Sequence, residues 1–193
     1  MLPTTSVEAT DVRIFIDPGH GGIDPGTEAN DLQEKDLTLD IALKTRDILN
    51  EQYSGHTIQL SRTTDVTRSL TERTNMANDW GADFLVSIHI NAGQATGFES
   101  YIFNGHYTEK EETNAIRRNI HKEIVQQTGF IDRGFKEKNL HVLRESNVPA
   151  VLTENGFIDN AIDASNLKDK TFIDKIAQGH AYGIANALGL YKK

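Results

Sequence analysis

Three apolar runs in this sequence break off at residues able to bind a metal or carry a proton. Ile14-Phe15-Ile16-Asp17 leads into Pro18-Gly19-His20-Gly21-Gly22, Phe84-Leu85-Val86-Ser87-Ile88 into His89-Ile90-Asn91, and Val151-Leu152-Thr153 into Glu154-Asn155-Gly156. Short apolar runs bounded by turn residues read as buried strands. Parallel strands of an open α/β sheet place their carboxyl ends on one edge, which is where ligands bind. His20, His89 and Glu154 can therefore converge. Glu34 comes to the same edge by another route, in the first turn of the helix that follows the His20 loop on a right-handed crossover. The positive end of that helix favours an ionised carboxylate, the state in which a carboxylate ligates metal.

Two imidazoles, one carboxylate and an open position for water make a catalytic zinc pattern. His20, Glu34 and His89 are the candidate ligands of one Zn²⁺, with Glu154 as the acid and base. In that reading the ion acidifies water and stabilises an oxyanion, while Glu154 takes a proton during attack on an amide carbonyl and returns it to the departing amine. Each residue alone also has a plainer reading. His89 can be a locally satisfied strand histidine, His20 part of an ordinary glycine turn, and Glu34 a helix N-terminal acid. Glu154 is harder to dismiss, because a carboxylate directly after Ala150-Val151-Leu152 is expected to be partly buried and to need a partner.

Among the remaining histidines, His180 falls on an apolar helical stripe and reads as packing. His56 and His121 read as surface residues, His106 as a loop residue, and His141 is ambiguous within a short apolar run. Met76 and Trp80, at helical spacing, read as core. The charges of 109–122 read as a solvated helix face. Residues 133–144 concentrate Arg133, Lys136, Lys138 and Arg144 against Glu137 alone. They can bind a substrate carboxylate or simply balance acidic neighbours. Asn91, Arg133 and Arg144 are the candidate substrate contacts.

The elements that must position these residues alternate. Strands are expected at 12–17, 57–60, 83–90, 97–103, 140–143 and 150–153. A helix is expected from Asn30 or Asp31 to Asn50, with Leu37, Ile41, Ile48 and Leu49 on its apolar face. Ser69 and Glu72 form a capping box for a second helix ending at Gly81, and Thr108 and Glu111 another for a third ending at Gly129. Ile173, Ala177, Ala181, Ile184 and Leu188 mark a last helix stopped by Gly189. The segment after Asp163 and around 168–170 reads as a polar loop. This order predicts an α/β fold: a single three-layer domain, with a mostly parallel twisted sheet flanked by helices. Only a short turn separates 97–103 from the strand before it, so those two are expected to pair antiparallel.

Composition bounds the function. At 193 residues the chain is expected to be one domain, and no repeat or linker suggests a second. Twenty Lys and Arg against 28 Asp and Glu give a net charge of -8. Such a chain is not expected to bind nucleic acid or anionic membrane nonspecifically. No apolar run approaches the ~18 residues of a membrane span. Without cysteine there are no disulfides, thiolate metal sites or cysteine nucleophiles. Residues 1–11 lack the basic start and apolar centre of a secretory signal.

The motifs Ile16-Asp17-Pro18-Gly19-His20-Gly21-Gly22, Asp24-Pro25-Gly26, Glu34-Lys35-Asp36 and Ser87-Ile88-His89-Ile90-Asn91 resemble those of the zinc-dependent N-acetylmuramoyl-L-alanine amidases of bacterial cell-wall turnover. Val142-Leu143-Arg144, Pro149-Ala150-Val151-Leu152 and Glu154-Asn155-Gly156-Phe157 with Asn160 and Asp163 fit the same pattern. The resemblance spans about 12–188. It implies His20, Glu34 and His89 as ligands of one zinc ion and Glu154 as catalytic acid and base. It also implies the substrate, peptidoglycan or a muropeptide, cut at the amide joining N-acetylmuramic acid to L-alanine. On this reading 1–11 is an N-terminal extension and 12–190 the catalytic domain. The site of action is the cell wall, outside the cell, and any wall-targeting module or partner and the export route lie outside this chain. Two alternatives are a metallopeptidase cutting within the stem peptide and a non-enzymatic phosphate- or sugar-binding α/β module, although the glycine turn has neither P-loop nor dinucleotide spacing.

Overall fold

In the computed structural model, which describes residues 11–193, the first apolar run forms strand β1 (Val12–Pro18). Two short strands, β2 (Glu28–Ala29) and β3 (Leu32–Gln33), precede helix α1 (Glu34–Gln52), followed by β4 (Tyr53–Ser54), β5 (His56–Leu60) and α2 (Leu70–Trp80). The chain continues through β6 (Phe84–Asn91), β7 (Phe98–Ile102), α3 (Lys110–Thr128), β8 (Asp132–Glu137), α4 (His141–Arg144) and β9 (Ala150–Phe157). It ends with α5 (Ala161–Lys168), α6 (Lys170–Leu188) and β10 (Tyr191–Lys192). Six strands make one sheet in the order β5-β1-β6-β9-β7-β8. Its β5-β1-β6-β9 portion is parallel, and β7 and β8, parallel to each other, run the opposite way. The architecture is the expected single α/β domain with helices on both faces.

Strand alternation explains the layers. Ile14 and Ile16 of β1, Val86 and Ile88 of β6 and Val151 of β9 pack beneath α1, α3 and α6. Phe15, Leu85, Ala150 and Leu152 face the other way, onto α2 and α4. The long helices on the first face approach closely. A β-carbon added at Gly183 of α6 would lie 2.4 Å from the α-carbon of Ile120 in α3, and one at Gly179 2.6 Å from that of Ile124.

Five expectations change in the structure. Asn30 and Asp31 do not start α1. They adopt left-handed φ of 52° and 60° and turn the β2–β3 hairpin, a conformation these two residue types tolerate. β7 pairs antiparallel with β9 rather than with β6, because β9 occupies the β6 edge. The Thr108–Glu111 box does not form. The N-cap of α3 is Glu109, which leaves Thr108 one residue outside the helix. Residues 140–143 are not a strand: a hydrogen-bonded turn from Leu140 opens the one-turn helix α4, with Val142 and Leu143 buried. The segment expected as a polar loop forms α5, capped by Asn160, whose side chain accepts from Ile162 and Asp163 N–H. In addition β8, an exposed edge strand, is found within the basic segment. The expected extension 1–11, except Asp11, lies outside the described residues. No helix among them is long and apolar enough to cross a membrane.

The turn after β1 is held from below by two buried arginines. Arg73 donates to Asp17 Oδ1 at 2.7 Å, to the Pro18 carbonyl at 2.7 Å and to the His20 carbonyl at 2.6 Å. Arg62 donates to the carbonyls of Pro18, Gly19 and Lys35. Asp17 also accepts from Ser61 and Ser87. Burial alone would raise the Asp17 pKa, but Arg73 and the two serines outweigh it and hold the carboxyl below its usual range. A depressed carboxylate contributes stability above its unfolded pKa, and the contribution fades as acidification passes the folded value.

Gly183→Ala gains about 1 kcal/mol of helix propensity but drives a methyl into backbone, so we expect a net loss of about 1–2 kcal/mol in urea unfolding. An unchanged or raised midpoint would show that α3 and α6 separate freely. Arg73→Met leaves Asp17 charged and unpaired and is expected to cost about 3–5 kcal/mol. A loss below about 1 kcal/mol would remove the ion pair from its structural role.

Candidate active site

Strand parity puts His89 and Glu154 on one face of the sheet. Leu85, Ser87 and His89 alternate on β6 as Leu152 and Glu154 do on β9, and the register sets His89 beside Glu154. His20 follows β1 with a left-handed φ of 59°. Glu34 is the first residue of α1 and is 2% exposed. The backbones come close enough to demand glycine at two points. A β-carbon at Gly19 would lie 2.4 Å from the His89 ring, and one at Gly26 2.6 Å from Glu34 Oε2.

His20 Nε2 lies 3.2 Å from Glu34 Oε2, and His89 Nδ1 lies 3.0 Å from Glu34 Oε1. One ligand atom from each residue falls within 4.8 Å of the others. Glu34 is further fixed by the main-chain N–H groups of Thr27 and Ile90 and by the Thr27 hydroxyl. On the far side of the His20 ring, Nδ1 lies 2.8 Å from Asp24 Oδ2. This pairing leaves Nε2 to face the cluster, as an outer carboxylate does for a metal-bound histidine. Two nitrogens and one carboxylate, converging on one point and braced from behind, fit a zinc ion.

The electrostatics agree. Burial opposes charge on both histidines, but the hydrogen bond and charge of Glu34, with Asp24, raise the His20 pKa to about 9. Glu34 raises His89 likewise, with help from Glu154. Burial also opposes the charge of Glu34, yet the two imidazoles hold its pKa well below the usual carboxylate range. The cluster is thus an electronegative well in which a bound cation would replace the imidazole protons.

Glu154 behaves differently. Burial is the main reason its pKa rises to about 7; His89 pulls it down, while Glu34 and Glu99 push it up. Its Oε2 is buried and has no hydrogen-bond partner among the described residues. With Glu34, His20, His89, Asn91 and Thr27 it lines an open cleft of about 430 Å³. A carboxyl poised near neutrality beside a cation site is suited to proton transfer.

The structure thus brings together His20, Glu34, His89 and Glu154, and adds Asn91 to the same cleft. Asn91 donates to Glu99 Oε2 at 3.2 Å, and Arg133 donates to Glu99 Oε1 at 2.8 Å. Arg144 lies apart, bonded to Glu145 and Asn139 beside a groove lined by Phe103 and Tyr107. Two residues were missed by sequence reasoning. Asp24 had a signal in its four-residue offset from His20 within the turn. Glu99 had none without the β7–β9 pairing, which sets it directly opposite Glu154.

His180 is core as expected. It is fully buried between Thr153 Oγ1 and the Ile176 carbonyl, and burial lowers its pKa to about 4. His121 is not on the surface. It is 2% exposed and joins Ser100 at 2.7 Å to Asp132 at 2.8 Å. This Ser-His-Asp chain ties α3 to β7 and β8. Ser100 is fully buried, out of reach of a substrate carbonyl.

Residues 14–186 match the family model described as N-acetylmuramoyl-L-alanine amidase. The chain is 55% identical over 181 residues to the sporulation-specific N-acetylmuramoyl-L-alanine amidase of Bacillus subtilis (strain 168), covering 94% of this chain and 70% of that protein. The crystal structure of N-acetylmuramoyl-L-alanine amidase from Clostridium difficile 630 superposes with a TM-score of 0.87 at 37% identity, covering 93% of this chain and 98% of that one. The catalytic domain of CwlV, an N-acetylmuramoyl-L-alanine amidase from Bacillus (Paenibacillus) polymyxa var. colistinus, gives 0.86 at 33% identity, with 93% and 99% covered. Fold, motif order and these likenesses agree that the chain belongs to the N-acetylmuramoyl-L-alanine amidase family of hydrolases.

Proposed function

We propose that residues 12–190 form a zinc-dependent catalytic unit that hydrolyses the amide between N-acetylmuramic acid and L-alanine in peptidoglycan, acting at the cell wall. The observation that carries the mechanism is the register placing Glu154, with an unpartnered buried oxygen, beside His89 of the three-residue cluster. His20, Glu34 and His89 would hold one ion. When bound, zinc supplies Lewis-acid polarisation of the amide carbonyl and makes water acidic enough to react near neutral pH. Asp24 fixes the His20 ring, and the N–H groups of Thr27 and Ile90 fix Glu34, so the ligand atoms are set before the ion arrives. Glu154 accepts the proton of the attacking water and passes it to the L-alanine nitrogen as the C–N bond breaks. A pKa near 7 lets one group do both. Asn91, at the cleft wall, is placed to contact substrate.

Mass spectrometry of digested peptidoglycan is expected to show stem peptides released with a free L-alanine amino group. Cleavage inside the stem with that amide intact would identify a metallopeptidase instead. Glu154→Gln should keep its zinc and lose about 100-fold or more in turnover; near-normal turnover would reject the proton-transfer role. Because the folded pKa of Glu154 is raised, its stability contribution is full below the unfolded value near 4.5 and is lost as pH rises through about 7. The metal-stripped Gln variant should therefore melt higher than the metal-stripped parent at pH 8, by roughly 2–4 °C per kcal/mol recovered, and alike at pH 4.

Chelation should abolish turnover, and stoichiometric zinc should restore it. His20→Ala should bind little zinc by elemental analysis; full occupancy in that variant would break the ligand set.

A further inference from the structure

Arg133 is braced in an unusual way for a residue on an exposed edge strand. Its Nε donates to Glu99 Oε1 at 2.8 Å, and its guanidinium carbon sits 5.1 Å from the centroid of the buried Phe157 ring. Glu99 is 5% exposed and is itself fixed by Tyr101 at 2.7 Å and Asn91 at 3.2 Å. The Arg133 side chain nevertheless remains 35% exposed, and no described residue accepts a hydrogen bond from its Nη1 or Nη2. A guanidinium has five donors in a rigid fork. Here one edge is spent on Glu99, and the ring below fixes the plane. Simple neutralisation of Glu99 does not need the free Nη pair, which matches the two oxygens of a second carboxylate.

The distance from the reaction centre suits a particular substrate group. β8, which carries Arg133, is two strands from β9, which carries Glu154, roughly 10 Å at ~4.8 Å per strand spacing. An extended peptide covers about 3.3–3.6 Å per residue, so a group on the second residue beyond the scissile amide falls within reach of the guanidinium. The lactyl carboxyl is consumed in that amide, which leaves carboxylates only on the peptide side. Building on the amidase reading above, we infer that Arg133, held by Glu99 and Phe157, is a specificity residue that binds a free carboxylate carried by the second stem residue. Asn91 and Glu99 link this contact to the cleft, so the arginine selects the peptide while taking no part in proton transfer.

The test uses the zinc-loaded enzyme and two muramoyl dipeptides, one with a free α-carboxylate on its second residue and one with the carboxamide there. The wild type should favour the acid in kcat/KM by about 10- to 100-fold, the range of a charge-assisted hydrogen bond. Arg133→Gln should bring that ratio close to one, and Arg133→Lys, which keeps the charge without the fork, should give an intermediate ratio. The double variant Glu99→Gln with Arg133→Gln leaves no unpaired buried charge and should show the same loss of preference, which separates recognition from folding. A wild-type ratio near one, or a preference surviving in Arg133→Gln, would overturn the inference. Cleavage of either probe without release of a free L-alanine amine overturns the underlying amidase reading instead, and the products tell the two failures apart.

Discussion

The site depends on one buried ion pair. β1 must stop abruptly and turn His20 back over its own end, and the turn directs the carbonyls of Pro18, Gly19 and His20 toward the interior. Buried carbonyls without donors are costly, and the donors here are guanidinium groups of Arg62 and Arg73. A buried arginine needs a counter-charge. Asp17, the last inward-facing residue of β1, supplies it to Arg73 and takes two serine hydroxyls besides. One carboxylate therefore anchors the arginine that holds the turn, and the turn sets the left-handed His20. Replacing the pair by apolar residues of similar volume could preserve stability, but it would leave the carbonyls without donors and His20 without a fixed position.

Above this floor, three acids are sorted by their partners. Glu34 touches two imidazoles and two main-chain N–H groups and stays ionised. Glu99 keeps its charge because Tyr101 and Arg133 outweigh the cost of burial. Glu154 has no hydrogen-bonding side chain among the described residues to offset its burial, so burial, with help from the charges of Glu34 and Glu99, pushes it toward neutrality. Separating the pKa values of neighbouring carboxyl groups is what the proposed division between a metal ligand and a proton carrier requires. Sheet register supplies the contrast, placing Glu154 between His89 on one side and Glu99 on the other.

Much of this was legible in the sequence because it is local or follows from the sheet-edge rule. The apolar runs of β1, β6 and β9 and the residues that end them lie on adjacent parallel strands, so His20, His89 and Glu154 converge as expected. The Ser69–Glu72 box and the glycine stops at Gly81, Gly129 and Gly189 appear as predicted. What failed depended on non-local pairing. The antiparallel placement of β7 is decided by β9, more than 40 residues away in sequence, and with it went Glu99 and the link to Arg133. β8 was obscured by its charges, since an edge strand exposed on both sides lacks hydrophobic alternation. His121 looked like a surface residue because its polar partners, Ser100 and Asp132, come from strands whose positions local pattern cannot supply.

Pairing also changes the meaning of the basic segment. In sequence, four cations against Glu137 suggest a patch that attracts anions over a distance. In the structure Arg133 is bound to Glu99, Arg144 to Glu145, and Glu137 is taken by Lys110. A chain of net charge -8 with both arginines of this segment committed exerts little long-range pull on an anion, and salt limits any such pull to about 8 Å under physiological conditions. Recognition of an anionic group must then be short-range and directional. The unspent edge of Arg133 has that character: a planar donor pair fixed by a buried carboxylate and an aromatic face. Substrate choice would therefore depend on peptide geometry near the scissile amide, and only weakly on the charge of the surrounding polymer.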